Sequence, residues 1–328
     1  MAYLAFTERG LDLAARLQAV LGGSVSSSGA EGFSLSAWTR EQFMLREALV
    51  YIGAAGIAVR AVAPCLKSKT EDPAVISLDE FGTYVIPLVS GHLGGANALS
   101  RRIAEICCGT AVISTATDLN GVFAVDLWAK KQGLCILRPE RIKAVSSRLL
   151  AGGTVGFSCP WPIEGPLPKG VRLTDGRDAS VLVGFRSQSE TSALQLVPKV
   201  LTLGIGCRRG IRADQMEAAF AAFREARRFL PEAICGAASL DIKRDEAGLT
   251  GFCESHGWSL SFCTAADLRS LQGTFSGSAF VSEAVGVDNV CERAAVFVSG
   301  GETVEKKYAS GGVTFALAAT HPMLDWSF

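Results

Sequence analysis

The sequence predicts a multi-domain α/β protein, and three observations support this fold class. The chain has 328 residues, of which 48% are hydrophobic and 20% charged, which is enough to build more than one buried core. Short apolar runs alternate with segments whose apolar residues recur every three or four positions. A proline- and glycine-rich stretch at 152–170 interrupts this alternation. We therefore predict a doubly wound parallel-sheet domain at 1–126, an irregular middle module at 127–198 and a three-layer α/β domain at 199–328.

Strand and helix patterns alternate through the first domain. A strand at 3–6 leads into a helix with Leu13 and Leu17 on its apolar face, which ends at Gly22. The other predicted elements are a glycine-punctuated apolar stretch at 50–63, strands at 75–78, 84–89 and 111–114, and a helix carrying Leu99, Ile103 and Ile106. Open parallel sheets bind ligands at the carboxyl ends of their strands, so the loops after positions 89 and 114 are the first places to expect a site.

The rest of the chain begins with two helices and ends with a second α/β pattern. The helices are predicted at 126–132 and around Ile142, Val145 and Leu149, and a strand is predicted at 181–185. The last domain opens with a strand at 200–205, a tight loop at 206–210 and a helix bearing Met216, Ala219, Phe220 and Phe223. A further strand is predicted at 295–298.

Composition limits the function classes. Thirty-two basic residues balance thirty-two acidic ones, which indicates a small-molecule partner rather than nucleic acid. We expect no membrane span and no signal peptide. The ten cysteines form no C-x-x-C pair, so we predict free and mostly buried thiols, no metal site and a cytoplasmic protein.

The sharpest motif is Ser-Gly-His-Leu-Gly-Gly-Ala-Asn at 90–97, between a predicted strand and a predicted helix. Gly94 and Gly95 let the backbone approach a ligand, and the helix start offers N–H groups to an anion. His92 is a candidate for proton transfer. The alternative is that His92 and Asn97 only cap this turn, and the sequence leaves both interpretations open.

A second polar loop follows the next strand, at 114–121. Asp118 is a candidate to orient an imidazole or a water, while Thr115, Thr117 and Asn120 offer hydrogen bonds to developing negative charge. Helix capping by Thr117 or Asp118 is the alternative.

Basic residues elsewhere are candidates for binding carboxylates. Arg60, which is flanked by apolar residues, is the best candidate in the first domain. Lys67 and Lys69 are candidates too, and the alternative is that they are simply solvated side chains. The loop at 204–210 places Arg208 and Arg209 in a strand-to-helix turn, in a spacing unlike that of dinucleotide-binding turns. Ser239 and Lys243 belong to another polar strand end, as do Glu292 and the pair Lys306 and Lys307.

These motifs together resemble the cobalt-precorrin-5A hydrolase family of anaerobic cobalamin biosynthesis. The resemblance covers nearly the whole chain and extends over the stretches 53–60, 69–75, 79–80, 90–97, 115–118, 204–210, 238–243, 278–281, 285–287 and 294–295. It implies hydrolysis of the δ-lactone of cobalt-precorrin-5A, release of acetaldehyde and formation of cobalt-precorrin-5B. It also implies that the substrate carries the cobalt, that no further cofactor is needed and that neighbouring pathway enzymes are partners.

On this resemblance His92 is the expected base, with Asp118 as its orienter or as an alternative base. Asn97 and the N–H groups of the glycine loop are the expected oxyanion donors. The expected substrate-binding residues are Arg60, Lys69, Gly94, Gly95, Asn97, Thr115, Thr117, Arg208, Arg209, Ser239 and Lys243. Two other classes stay open, namely a non-catalytic scaffold that binds corrinoid intermediates and a nucleotide-binding or methyl-transfer enzyme.

Overall fold

The computed structural model describes residues 1–68, 71–188, 192–277 and 289–327. The chain forms two compact units, residues 1–127 and 128–328. The division into three domains, which the sequence pattern predicts, stays a prediction, because the second unit holds both the middle module and the last α/β domain. No helix within the described ranges is long and apolar enough to cross a bilayer.

A six-stranded sheet organises the first unit. Its strands are β1 (Ala2–Ala5), β2 (Ser24–Ser27), β3 (Ala48–Ile52), β4 (Ala74–Leu78), β5 (Tyr84–Val89) and β6 (Thr110–Ala111). They lie in the order β2-β1-β3-β4-β5-β6, and all neighbours are parallel except β4 and β5, which form a hairpin. The hairpin turn is held by the Asp79 carboxylate, which accepts the backbone N–H groups of Phe81, Thr83 and Tyr84.

Helices cover both faces of this sheet, as predicted for a doubly wound domain. The helices of its two cores are α1 (Glu8–Leu21), α2 (Leu35–Leu45), α3 (Ala55–Val62) and α4 (Ala96–Cys107), and β6 is followed by the short helices α5 (Ala116–Asn120) and α6 (Val125–Lys131). One core joins Leu13 of α1 and Ile103 of α4 to the sheet, and the other joins Phe43 of α2 and Val62 of α3 to the opposite face. Short 3₁₀ turns occur at 63–65, 139–141, 231–233 and 241–243.

The middle part of the second unit contains more regular structure than its sequence indicates. Its strands are β7 (Cys135–Leu137), β8 (Val155–Ser158), β9 (Ile163–Glu164), β10 (Val171–Leu173), β11 (Val181–Val183) and β12 (Leu194–Val197), and its helix is α7 (Ile142–Leu150). Five of the strands form a sheet in the order β10-β8-β11-β12-β7, in which only β7 is antiparallel to its neighbour. The proline-rich stretch therefore contains strands of two to four residues rather than a plain connector.

The last part of the chain forms a five-stranded sheet between helices. Its strands are β13 (Leu201–Cys207), β14 (Ile234–Leu240), β15 (Ser259–Cys263), β16 (Glu302–Ser310) and β17 (Val313–Ala319), and its helices are α8 (Ala213–Arg227), α9 (Ala247–Ser255), α10 (Ala265–Ser270) and α11 (Cys291–Ser299). The order is β15-β14-β13-β17-β16, with β13, β14 and β15 parallel. Separate cores on the two faces give the predicted three layers.

The predicted strand at 295–298 is wrong, because these residues lie in helix α11. The helix packs very close to β13: a Cβ at Gly204 would lie 1.7 Å from the Cys291 carbonyl oxygen. The small residues Ala294 and Ala295 on the buried face permit this approach. Lys306 and Lys307 also lie within a strand, β16, rather than at a strand end.

Residues near 325 return to the middle module. Strand β18 (Leu324–Asp325) pairs in parallel with β9. The Trp128 indole N–H donates to the Asp325 carbonyl at 2.6 Å, and the rings of Trp128 and Trp326 stack with centroids 5.6 Å apart. The segment near residue 325 is therefore packed into the middle module as part of its structure.

All ten cysteines are free. Only Cys253, Cys263 and Cys291 are buried, and the others are half-buried or exposed, so the expectation of mostly buried thiols is wrong.

Candidate functional site

The loop at 90–97 is tightly closed on itself. Ser90 has a φ of 57° and Gly95 a φ of 84°, and a Cβ at Gly94 would lie 2.3 Å from the Ser90 Cβ. The N–H groups of Gly95, Ala96 and Asn97 donate to the carbonyls of residues 92, 90 and 91. These three amides are thus already paired, which contradicts the expectation that they serve as free oxyanion donors.

His92 projects from this loop between two carboxylates. Its Nδ1 lies 3.1 Å from Asp126 Oδ2, and its Nε2 lies 2.9 Å from Asp118 Oδ2. The His92 side chain is 14% exposed and both carboxylates are 11% exposed, so the group is largely shielded but reachable from solvent. Both ring nitrogens are therefore fixed, and the ring plane is set by the protein.

Asp118 is itself held by two further side chains. Asn97 is buried and donates from Nδ2 to Asp118 Oδ2 and to Thr115 Oγ1, each at 3.0 Å. Arg101, one helical turn beyond Asn97 on α4, donates to Asp118 Oδ1 at 2.6 Å. The structure thus brings the two predicted loops into one cluster in which every polar side chain has a partner.

This arrangement shifts the proton affinities in opposite directions. The hydrogen bond to Asp126 and then that to Asp118 raise the pKa of His92 against the opposing effect of burial. Burial acts to raise the pKa of Asp118, but hydrogen bonds from Arg101 and His92 outweigh burial and lower it. The imidazole of His92 therefore holds its proton to higher pH than a free histidine does, and Asp118 keeps its negative charge to lower pH than a free aspartate does.

Two neighbours of Nε2 suit its two protonation states. When His92 is charged, Nε2 carries a proton and donates a hydrogen bond to the Asp118 carboxylate. When His92 is neutral with its proton on Nδ1 toward Asp126, Nε2 is an acceptor, and the Thr117 hydroxyl at 3.2 Å can donate to it. Both ring nitrogens thus face a carboxylate, and the Nε2 side has Thr117 as an additional hydroxyl partner.

The other described residues that were predicted in the first unit form no hydrogen bond or ion pair with this cluster. Arg60 is exposed in the last turn of α3, and Lys67 is exposed with its backbone N–H bonded to the Asp72 carboxylate. Lys69 lies outside the described residues. Asn120 donates to the Ala116 carbonyl, which is an internal bond of α5.

The predicted residues of the second unit have mixed environments. Arg208 and Arg209 are exposed in the turn after β13. The amide at Gly210 in the same turn donates to Glu246 at 2.8 Å, and Lys243 donates to the other oxygen of Glu246 at 3.3 Å. Lys243 thus has an internal carboxylate partner.

The predictions for Ser239 and Glu292 are wrong, because both side chains are buried. Ser239 is fully buried, and its hydroxyl donates to the Ile205 carbonyl at 2.8 Å, so it belongs to the core rather than to a binding surface. Glu292 is buried in α11, where it accepts the N–H groups of Ser276 and Lys307, and it is not a polar strand end.

Asp126 and Arg101 were missed by sequence reasoning. Asp126 is the second residue of α6 and was interpreted only as the start of a helix. Arg101 lies four positions after Asn97, so the same helix face carries both, and that spacing was the available signal. In the described part of the chain no group of three histidine, cysteine or acidic residues has the geometry to hold a metal ion.

Comparison with known families places the chain among cobalamin biosynthesis proteins. Three family models match successive segments: cobalamin synthesis G N-terminal at 37–118, cobalamin biosynthesis central region at 123–198 and cobalamin synthesis G C-terminus at 201–318. A cobalt-precorrin-5A hydrolase of Salmonella typhimurium is 33% identical, with 98% of each chain covered. Another, from Priestia megaterium, is 31% identical over 82% of this chain and 78% of its own.

The chain therefore belongs to the cobalt-precorrin-5A hydrolase family. Among solved structures, a cobalamin biosynthesis protein G homologue from Sulfolobus solfataricus is 20% identical, covers 97% of this chain and 96% of its own, and has a TM-score of 0.38.

Proposed function

We propose that this protein hydrolyses the δ-lactone of cobalt-precorrin-5A and releases acetaldehyde to give cobalt-precorrin-5B. The curated relatives that share most of the chain support this activity by their names. The observation that carries the proposal for the site is the imidazole of His92 held between Asp118 and Asp126. The substrate brings its own cobalt, so this scheme uses no cofactor held by the protein.

In this scheme neutral His92 takes a proton from the attacking water at Nε2. Asp126 fixes the ring through Nδ1, and once the ring is charged Asp118 accepts the hydrogen bond from Nε2–H, so the proton stays on the imidazole. Asn97, whose amide is buried and already paired, positions Asp118 rather than binding the oxyanion.

Arg101 is the proposed donor to the oxyanion. Its side chain is 51% exposed and its bond to Asp118 uses only one of its N–H groups. The lactone oxygen then leaves as an alkoxide. That alkoxide collapses to acetaldehyde as the carbon–carbon bond breaks and its electrons pass into the macrocycle.

The direct test is anaerobic incubation of the purified protein with cobalt-precorrin-5A, with acetaldehyde trapped and the mass of the macrocycle recorded. We expect enzyme-dependent acetaldehyde that is lost in His92→Gln and strongly reduced in Asp118→Asn. His256→Gln is the matched control, since His256 is also bonded to a carboxylate, Glu217, but belongs to the second unit. Undiminished acetaldehyde in His92→Gln would refute the site, and tight binding without turnover would favour the scaffold.

We also propose a cytoplasmic location, in agreement with ten free cysteines. Neighbouring enzymes of the pathway are the proposed source of the substrate and the destination of the product.

A further inference from the structure

A cavity in the middle module contains three arginines that have no role in the scheme above. It has a volume of about 370 Å³, and among the residues that the structure describes Arg141, Arg148 and Arg177 line it together with one acidic residue, Asp178. Two serines, Ser180 and Ser192, complete its polar lining. The three arginines are exposed, so the cavity is an open basic groove on the surface of a protein whose overall charge is balanced.

Helix α7 supplies two of the arginines. Arg141 immediately precedes the helix and Arg148 lies in its last turn, seven positions later. Residues seven apart fall on the same side of a helix, and Ala144 between them also lines the cavity. Val145 is buried and helps to hold this helix against the module.

The third arginine is held by a loop between β10 and β11. The Ser180 N–H donates to the Gly156 carbonyl at 2.8 Å, and the Arg177 N–H donates to Asp175 at 3.2 Å. A Cβ at position 156 would lie 2.4 Å from the Asp178 carbonyl oxygen, so only glycine lets the loop lie this close to β8. The loop is thus built to bring Arg177 to the cavity.

None of the three guanidinium groups forms an ion pair with any residue that the structure describes. Other arginines of the same unit do: Arg186 and Arg227 both pair with Glu305. Like charges gathered in one cavity repel each other, and an anionic ligand would relieve that repulsion. Guanidinium groups bind carboxylates through two parallel hydrogen bonds, which makes a carboxylate ligand the best match.

We propose that this cavity binds peripheral carboxylate groups of the tetrapyrrole substrate. The inference rests on the proposed function for the identity of the substrate, but the basic cavity itself does not. Its volume is at the low end for ligand pockets, so it suits carboxylate side arms rather than the whole macrocycle.

The experiment measures binding separately from turnover. Uroporphyrin I, an unreactive tetrapyrrole with carboxylates around its ring, is titrated into the full-length protein at fixed ionic strength, and quenching of its fluorescence gives Kd. The variants are Arg141→Gln, Arg148→Gln and Arg177→Gln, singly and combined, with melting curves to confirm folding. Arg172→Gln is the matched control, because Arg172 is exposed on β10 in the same module but does not line the cavity.

We expect each single cavity variant to weaken uroporphyrin binding about tenfold, as for loss of one hydrogen bond to a charged group, and Arg172→Gln to leave it unchanged. Asp178→Asn removes the opposing charge and should tighten binding. A triple variant with unchanged Kd, or equal weakening by Arg172→Gln, would overturn the proposal.

Two further measurements separate the possible failures. If the wild-type protein releases acetaldehyde while the triple variant keeps the wild-type KM and uroporphyrin Kd, the cavity proposal fails and the proposed function stands. If the wild-type protein releases none but uroporphyrin binding depends on the three arginines, the function fails and the carboxylate site is supported. Calorimetry with inorganic phosphate alone tests a free small anion: arginine-dependent phosphate binding without uroporphyrin binding would overturn the substrate assignment.

Discussion

Replacing Asp126 with asparagine tests how the protein tunes His92. The change removes the largest cause of the raised His92 pKa, while the amide oxygen of the asparagine can still accept a hydrogen bond from Nδ1–H. A hydrogen bond to a charged group contributes about 1.5–3 kcal/mol, which corresponds to roughly 10- to 150-fold in rate if it is lost in the transition state. We therefore expect kcat/KM to fall by about one to two orders of magnitude.

The pH dependence of this variant separates a catalytic base from a structural histidine. A base works in its neutral form, so wild-type activity should rise with pH through a His92 pKa above the ordinary value of 6.5. In Asp126→Asn the pKa falls, and the rising limb of kcat/KM should move to lower pH. The measurement is acetaldehyde release across the pH range. The control is Asp12→Asn, because Asp12 is an exposed residue of α1. A limb that stays in place or moves to higher pH would refute His92 as the base.

Three further predictions concern stability. Gly204→Ala should destabilise the protein by at least about 1–3 kcal/mol in urea unfolding, because its Cβ would lie 1.7 Å from the Cys291 carbonyl oxygen, whereas Gly184→Ala, with no atom within 4 Å, should be nearly neutral. Trp326→Ala should cost about 3–5 kcal/mol and lower the calorimetric Tm, and an unchanged Tm would contradict the packing described for the late segment. The stabilisation from the charged His92 pairs is fully present below pH 6.5 and is lost as pH rises through the raised pKa, so the unfolding free energies of wild type and His92→Gln should converge as the pH rises above 6.5.

Much of the first domain was predictable because its strands and helices have distinct periods and clear ends, but β2 and α2 were not predicted, and the strand predicted at 111–114 covers only 110–111. Strand β5 was predicted at 84–89 and has those bounds. The region around residue 295 was not, since a short run of alanine, valine and phenylalanine suits a buried strand and a buried helix equally. The packing partner that decides between them, Gly204, is distant in sequence.

The candidate site shows the same division between local and distant information. The loops that hold His92 and Asp118 could be found because each follows a predicted strand and is rich in polar groups. Asp126 could not, because its role depends on how the chain turns after α5 to bring α6 toward the loop. The partners of Asn97, Thr115 and Asp118, are likewise a matter of tertiary contact, and they are the reason that the proposed scheme uses Asn97 to position Asp118.

The pairing of β9 with β18 has a consequence for how the protein is made. Trp128 and Asp325, which this region joins, are 197 positions apart, so the middle module lacks part of its structure until the ribosome has nearly finished the second unit. Contacts of such long sequence separation form slowly. Until they form, β9 has no β18 to pair with and Trp128 is not covered by Trp326. We therefore expect the middle module of newly synthesised chains to be open to proteases until residues near 325 are available to pair with it.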